Sequence, residues 1–278
     1  MPFKRKTYDG KPLLLERVSE MARQSEYIDF SAGKDFLGLY FGYDDIHYLN
    51  TPLDAVSFAW PGADGIHFAF LTDFSTADSL EEAYIVRVEP MSFDDPVKIV
   101  ARDFKDFLRL LCYYPIAIEL AHAGISENDF TALAKRYPSL ITGKPDYYYE
   151  QGRGVAQKVI EAFGLEPFGD VFDYLRDLHI GRLKKVVFHT WDGIGIAGVP
   201  EDTTSLKRFP LKRQKNPAPE HVRDYMSTAS EIEILGLIRD LRSMGLFHHQ
   251  WELIEIAKKQ LLSMGLRREA GNLDEFDE

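Results

Sequence analysis

Apolar residues fall into two kinds of pattern along this chain. Up to about residue 112 they come in short β-branched or aromatic blocks, and toward the end they recur every three or four positions. The blocks lie at 36–43, broken by Gly38 and Gly42, and at 55–60, 66–71, 83–88 and 97–101. Turn-forming residues bound them, so each predicts a strand. An amphipathic helix over 13–24 precedes the blocks. Another opens at Asp103, a natural N-cap, with Phe104, Phe107, Leu108 and Leu111 on one face. Successive strands closed by a helix predict an α+β fold, an antiparallel sheet with flanking helices. The βαβ alternation of a nucleotide-binding sheet is missing.

The remainder reads as mainly helical. Ser126 opens a helix that Pro138 ends, and Tyr147, Tyr148 and Tyr149 fall in a loop. Helices follow at 155–163, stopped by Gly164, and at 171–178. A short hairpin, 186–188 with 194–196, surrounds Trp191, Asp192 and Gly193. Residues 199–223 hold four of the fourteen prolines and predict an exposed loop. Ser230 and Glu233 carry a capping-box signature, with Ile234, Leu235, Ile238 and Leu241 as the apolar stripe beneath it. That helix stops at Gly245. A second, carrying Trp251, Ile254, Ala257 and Leu261, stops at Gly265, and the two read as an αα-hairpin. This organisation divides the chain into an α+β domain, 1–145, and a helical region, 146–278, and leaves open whether they pack as one unit.

Composition narrows the function. Of the 278 residues 45% are hydrophobic, enough for a sizeable core, and the formal net charge is -11. Such a surface repels nucleic-acid phosphates and anionic lipid except through a local basic patch. The one candidate patch spans 204–223, with Lys207, Arg208, Lys212, Arg213, Lys215 and Arg223, and its plainer reading is a solvated linker. Cys112 is the only cysteine, which excludes an internal disulfide and a thiolate metal cluster. No apolar run approaches the roughly 20 residues of a membrane span, and no signal core follows the basic start, so a cytoplasmic protein is expected.

Phosphate-binding, dinucleotide, zinc-protease and hydrolase motifs are all lacking, and no cofactor or metal is expected. Two sets of acid–base candidates remain, Asp64 with His67 and Asp73, and His189 with Asp192. The first set has a structural reading. Pro61-Gly62 and Asp64-Gly65 are turn residues, and His67 sits within a strand pattern beside Phe68 and Phe70. His248 and His249, if helical, would point to different faces and would not chelate together. Cys112 sits among Leu110, Leu111 and Tyr113, as a buried small hydrophobe does.

The stretch Pro61-Gly62-Ala63-Asp64-Gly65-Ile66-His67-Phe68, with Phe70-Leu71, resembles the SUKH superfamily. So do Val86-Arg87-Val88-Glu89-Pro90, Phe93-Asp94-Asp95-Pro96 and Ile99-Val100-Ala101-Arg102. Asp103-Phe104-Lys105-Asp106-Phe107-Leu108 is similar to the phrase that opens the family's helix. The likeness covers about residues 50–112. That superfamily includes a fungal regulator of cell-wall glucan synthesis and bacterial proteins that neutralise toxins. The resemblance implies a non-catalytic protein-binding module, an immunity protein or a regulatory scaffold, with a basic toxin or nuclease as partner. The acids that would meet such a partner are Asp73, Asp78, Glu81, Glu82, Asp94 and Asp95, which no apolar pattern draws inward. The alternative is an enzyme of unmarked type using one of the two acid–base sets.

Overall fold

The structure, a computed structural model, describes residues 8, 10–24, 36–44, 46–92, 94–120, 125–144, 150–198, 206–212 and 215–273. Helix α1 (Leu13–Gln24) leads into β1 (Tyr40–Phe41), β2 (Ala55–Trp60), β3 (His67–Leu71), β4 (Tyr84–Val88) and β5 (Val97–Ala101). The strands form one antiparallel meander in chain order. Only two residues of the 36–43 block pair in it, because Leu37 (φ 59°) and Gly38 (φ 78°) turn the chain left-handed between Phe36 and Leu39. Helix α2 (Phe104–Tyr113) begins where the Asp103 carboxylate accepts the Asp106 N–H at 2.8 Å. Its Phe104 and Phe107 rings each lie 5.3 Å from that of Phe58, which is 4.5 Å from Phe70. Phe107 is 0% exposed.

Strict alternation would leave one sheet face wet. Instead β3 and β4 are buried along their whole length, polar His67 and Arg87 included. The loop before β2 covers one end of the second face, where the Ile46 N–H donates to Ser57 Oγ at 3.0 Å and Thr51 bonds His67 at 3.1 Å. Arg182 and Lys185 lie over Tyr84 at its other end. Arg87 keeps its charge neutralised by Glu89 and by Glu119, the latter at 2.7 Å.

Next come α3 (Pro115–Leu120), α4 (Glu127–Arg136), α5 (Ser139–Thr142), α6 (Glu150–Phe163) and α7 (Val171–Lys185). Helix α4 starts at a Ser126 cap and stops short of Pro138. Helix α7 runs on to Lys185 rather than ending at Leu178, although Ile180 and Leu183 stay exposed. No apolar stripe marks that extension, and its inward residue is Arg182. The hairpin predicted over 186–188 and 194–196 forms as β6 (Val186–Phe188) with β7 (Ile196–Ala197), the second strand starting two residues later than predicted.

The helical end holds α8 (Pro219–Thr228), α9 (Glu231–Ser243), α10 (Trp251–Ser263) and α11 (Arg267–Gly271). The loop predicted over 199–223 gives way to α8 at Pro219, whose fixed φ and missing N–H suit a first helical position. Residues 199–205, 213–214 and the three tyrosines at 147–149 lie outside the described residues. The Ser230–Glu233 capping box is complete, and Gly245 and Gly265 take positive φ just past the ends of α9 and α10. Trp251, expected on the apolar face of α10, is 58% exposed because it stands in the first turn ahead of the buried Leu253, Ile254, Ala257 and Leu261.

The buried residues form two clusters. The first joins α1, the sheet and α2 to residues of α6 and α7 such as Val159, Leu175 and Leu178. The second is built by α8 to α11 with Phe188 and Ile196, and it takes Leu53 and Phe74 from the sheet's own loops. Among the described residues no helix is long and apolar enough to cross a membrane.

Candidate functional site

Two loops of the sheet reach into the second cluster, and each brings an aspartate with it. Asp54 follows Leu53 ahead of β2, and Asp73 precedes Phe74 after β3. Arg182 of α7 grips Asp73 with two parallel bonds of 2.7 Å and donates to the carbonyls of Ile194 at 2.9 Å and Gly195 at 2.8 Å. Arg239 of α9 pairs with Asp54 and donates to the same Gly195 oxygen at 2.7 Å. Asp192 stands 3.7 Å from Arg239, and all five charged groups are buried.

Asp73, Phe74 and Ser75 all have left-handed backbones (φ 48°, 53° and 63°), a run that costs roughly 1–2 kcal/mol per residue. The surroundings hold it in place. The Phe74 N–H donates to Asp54 at 3.1 Å, and the Thr76 and Ala77 N–H groups both reach the Thr72 carbonyl at 3.0 Å. Burial pushes the Asp192 carboxyl above its usual range. Burial also works against the Arg239 charge, but Asp54, Asp192 and Asp73 outweigh it and leave that pKa raised. Apart from Asp54 Oδ1, which has no partner among the described residues, these carboxylate oxygens engage arginines, the Thr190 hydroxyl and backbone, which makes the group a staple between the two clusters.

The acid–base candidates are not brought together. Asp64 (φ 53°) is exposed in the turn that feeds β3, where the Ile66 N–H donates to the Ala63 carbonyl at 3.0 Å. His67 is buried beneath Tyr48; its Nδ1–H donates to the Gly65 carbonyl at 2.8 Å and its Nε2 accepts from Thr51 at 3.1 Å. Burial drives its pKa down to about 4, despite the help of that carbonyl. Asp73 lies beyond the far end of β3. His189 is exposed, whereas Asp192 is buried and bonded to Thr190 and to the Ile194 N–H.

His248 and His249 do not diverge. They sit on a turn rather than a helix, His249 is left-handed (φ 56°), and their rings lie 3.8 Å apart at the surface. Burial pushes the Cys112 thiol up to about 12. Among the described residues no three His, Cys, Asp or Glu side chains are placed to hold a metal ion. Two cations of the basic stretch are engaged, Arg208 with Asp240 at 2.8 Å and Arg223 with Glu252 at 2.7 Å.

The six acids do not form one face. Asp73, expected at the surface, is buried because Arg182 draws it inward. Asp78 and Glu82 are exposed before β4, where with Tyr84 and Lys185 they line a hollow of about 310 Å³. Glu81 is half-buried and accepts the first N–H of α1, that of Leu13, at 3.0 Å. Asp94 and Asp95 are exposed at the opposite end of β4, on the turn into β5.

Beside that turn runs a trough. A cavity of about 660 Å³ lies between residues 48–50, the β4–β5 turn, Trp191 and the end of α9. Asp192 also lines a second cavity, of about 210 Å³, between β5 and α7. The borders of the larger cavity are apolar and open to water: Trp191 is 48% exposed, and Tyr48 and Leu49 also reach solvent. Asn50, on its wall, donates to the Pro90 carbonyl at 3.1 Å, while its Oδ1 is buried without a partner among the described residues. Sequence reasoning missed this trough. In the sequence Trp191 reads as part of the turn beside His189 and Asp192, and nothing local says that the loop at 48–50 comes to lie beside it. No family model matches the chain, and no curated protein is similar to it.

Proposed function

We propose that this chain is a non-catalytic, SUKH-type module that binds a basic protein, either a toxin it neutralises or a target it scaffolds. The observation that carries this reading is the trough, where exposed Tyr48, Leu49 and Trp191 lie beside Asp94, with exposed Asp95 next to it on the same turn. Apolar patches rimmed by charge mark interaction surfaces, and Trp and Tyr supply most of the energy in them. The net charge of -11 attracts a basic partner and repels an acidic one. The acid–base sets that an enzyme would use are separated or spent internally, so the geometry favours binding.

The test is kinetic. With a partner captured from the native host, Trp191→Ala should raise the dissociation rate about thirtyfold, as expected of a central aromatic anchor. Reversing Asp94 and Asp95 to Lys should slow association on the order of tenfold at low salt while leaving the melting temperature in place. If both variants bind like the parent, the trough is not the interface and the hollow at Asp78, Glu82 and Lys185 takes its place.

A further inference from the structure

Resting on that binding reading, we infer that the partner enters the trough as an extended basic segment that pairs with β5 as a sixth strand. Strand β5 is the outermost of the sheet, and among the described residues no backbone group pairs along its outer edge. The smaller cavity is lined by Val97, Lys98 and Ile99 in succession. Consecutive residues of a strand point to opposite faces, so a cavity that touches all three runs along the strand's edge. It runs beside that edge, and at the strand's end α7 closes it, where the Tyr174 hydroxyl accepts the Arg102 N–H at 3.2 Å. Helix α7 forms the far wall with Leu175 and Leu183, and it keeps this edge from pairing indiscriminately.

An extended chain satisfies the edge through its backbone and fills the apolar wall with alternate side chains, the mode of strand addition. Charge selects the occupant. In the smaller cavity the cations are already neutralised, Lys98 by Glu89 at 3.3 Å, Arg176 by Asp173 at 2.6 Å and Arg182 by Asp73. In the larger one Arg242 is held by the Thr51 and Tyr48 carbonyls at 2.9 and 2.8 Å. His179 also lines the smaller cavity. At the mouth stand Asp94 and Asp95, and Asp95 makes no ion pair among the described residues. Lysine or arginine flanking a β-branched run fits these features.

The probe is the peptide acetyl-Lys-Val-Thr-Val-Thr-Val-Lys-amide, titrated into the full chain by calorimetry with hydrogen exchange in parallel. Two analogues carry N-methyl groups on alternate amides, one set for each edge of the peptide, and a third replaces both lysines by Glu. The parent should bind and slow exchange at the outward amides of β5. One N-methylated set should lose on the order of tenfold or more in affinity because it leaves edge groups unpaired, while the other set binds like the parent. The Glu analogue should also bind on the order of tenfold more weakly. Equal binding of both N-methylated sets, or protection away from β5, overturns the sixth strand while leaving a protein-binding trough intact. Absence of binding at millimolar peptide overturns it too. The binding reading itself then stands or falls with Trp191→Ala and the captured partner.

Discussion

The sheet with α2 and the seam between the two clusters are both buried, but opposite chemistry holds them. Under the sheet, Phe58, Phe70, Phe104 and Phe107 interlock as rings, and each stabilises by leaving water. At the seam Asp54, Asp73, Arg182 and Arg239 leave water at a cost, which their mutual pairing, the Ile194 and Gly195 carbonyls and the Phe74 N–H offset. The first region is strong because its parts are alike. The second holds only while every member is present, and it fixes how the sheet's loops meet α7 and α9.

The largest effect should come from breaking the seam on one side. Arg239→Met leaves Asp54 buried without its cation and should cost about 3–5 kcal/mol in urea unfolding. Adding Asp54→Leu should recover much of that loss, though not all, because the Phe74 N–H also relies on Asp54. Phe107→Ala should cost a similar 3–5 kcal/mol or so, yet no second truncation should restore it, since only refilling the hole can. If the double seam variant is no more stable than Arg239→Met alone, the contrast between the two regions fails.

Acid should separate other parts of the molecule. His67 folds with its pKa lowered from the ordinary 6.5 to about 4, so below 6.5 the unfolded chain binds the extra proton first. The stability it contributes is fully present above pH 6.5 and is lost as pH falls toward 4, at most about 3 kcal/mol. His67→Gln should flatten that part of the stability–pH curve. An unchanged slope would place the titration elsewhere.

Smaller effects follow from close packing and from caps. A Cβ at Gly236 of α9 would collide with the Phe188 ring, so Gly236→Ala should destabilise by about 1–3 kcal/mol despite the better helix propensity of Ala. Smallest of all, Glu81→Gln should cost about 0.5–1 kcal/mol through the start of α1, whereas Glu82→Gln, at an exposed neighbour, should cost nothing measurable. Melting curves of the two side by side check this, and equal effects would remove the capping role of Glu81.

How much was legible depends on how local the cause is. The bounds of α1, β2 and β5 follow from short apolar patterns, and the starts of α2, α4 and α9 follow from Asp103, Ser126 and Ser230, each a single side chain acting a few residues away. Arg182 and Arg239 were illegible because an arginine at a helical position normally reads as solvated. Arg239 did leave one trace, since it shares an arc with Leu235 and Arg242 in a helix buried on every side from Glu233 to Arg242. Asp73 misled for the same reason, as its partner lies 109 residues further along the chain.

The sequence alone determined the order of the strands, the helices marked by a cap or an apolar stripe, the stops and the acidic charge, because hydrophobic period and capping geometry are properties of neighbouring residues and charge is a matter of composition. Helices α3, α5, α8 and α11 came only with the structure. Tertiary structure decided which charges are buried and which remain at the surface, the covering of both faces of β3 and β4, and the joining of residues 48–50, Trp191 and the β4–β5 turn into one trough. Burial and pairing are set by whichever surfaces meet in space, and residues far apart along the chain carry no local mark of that meeting.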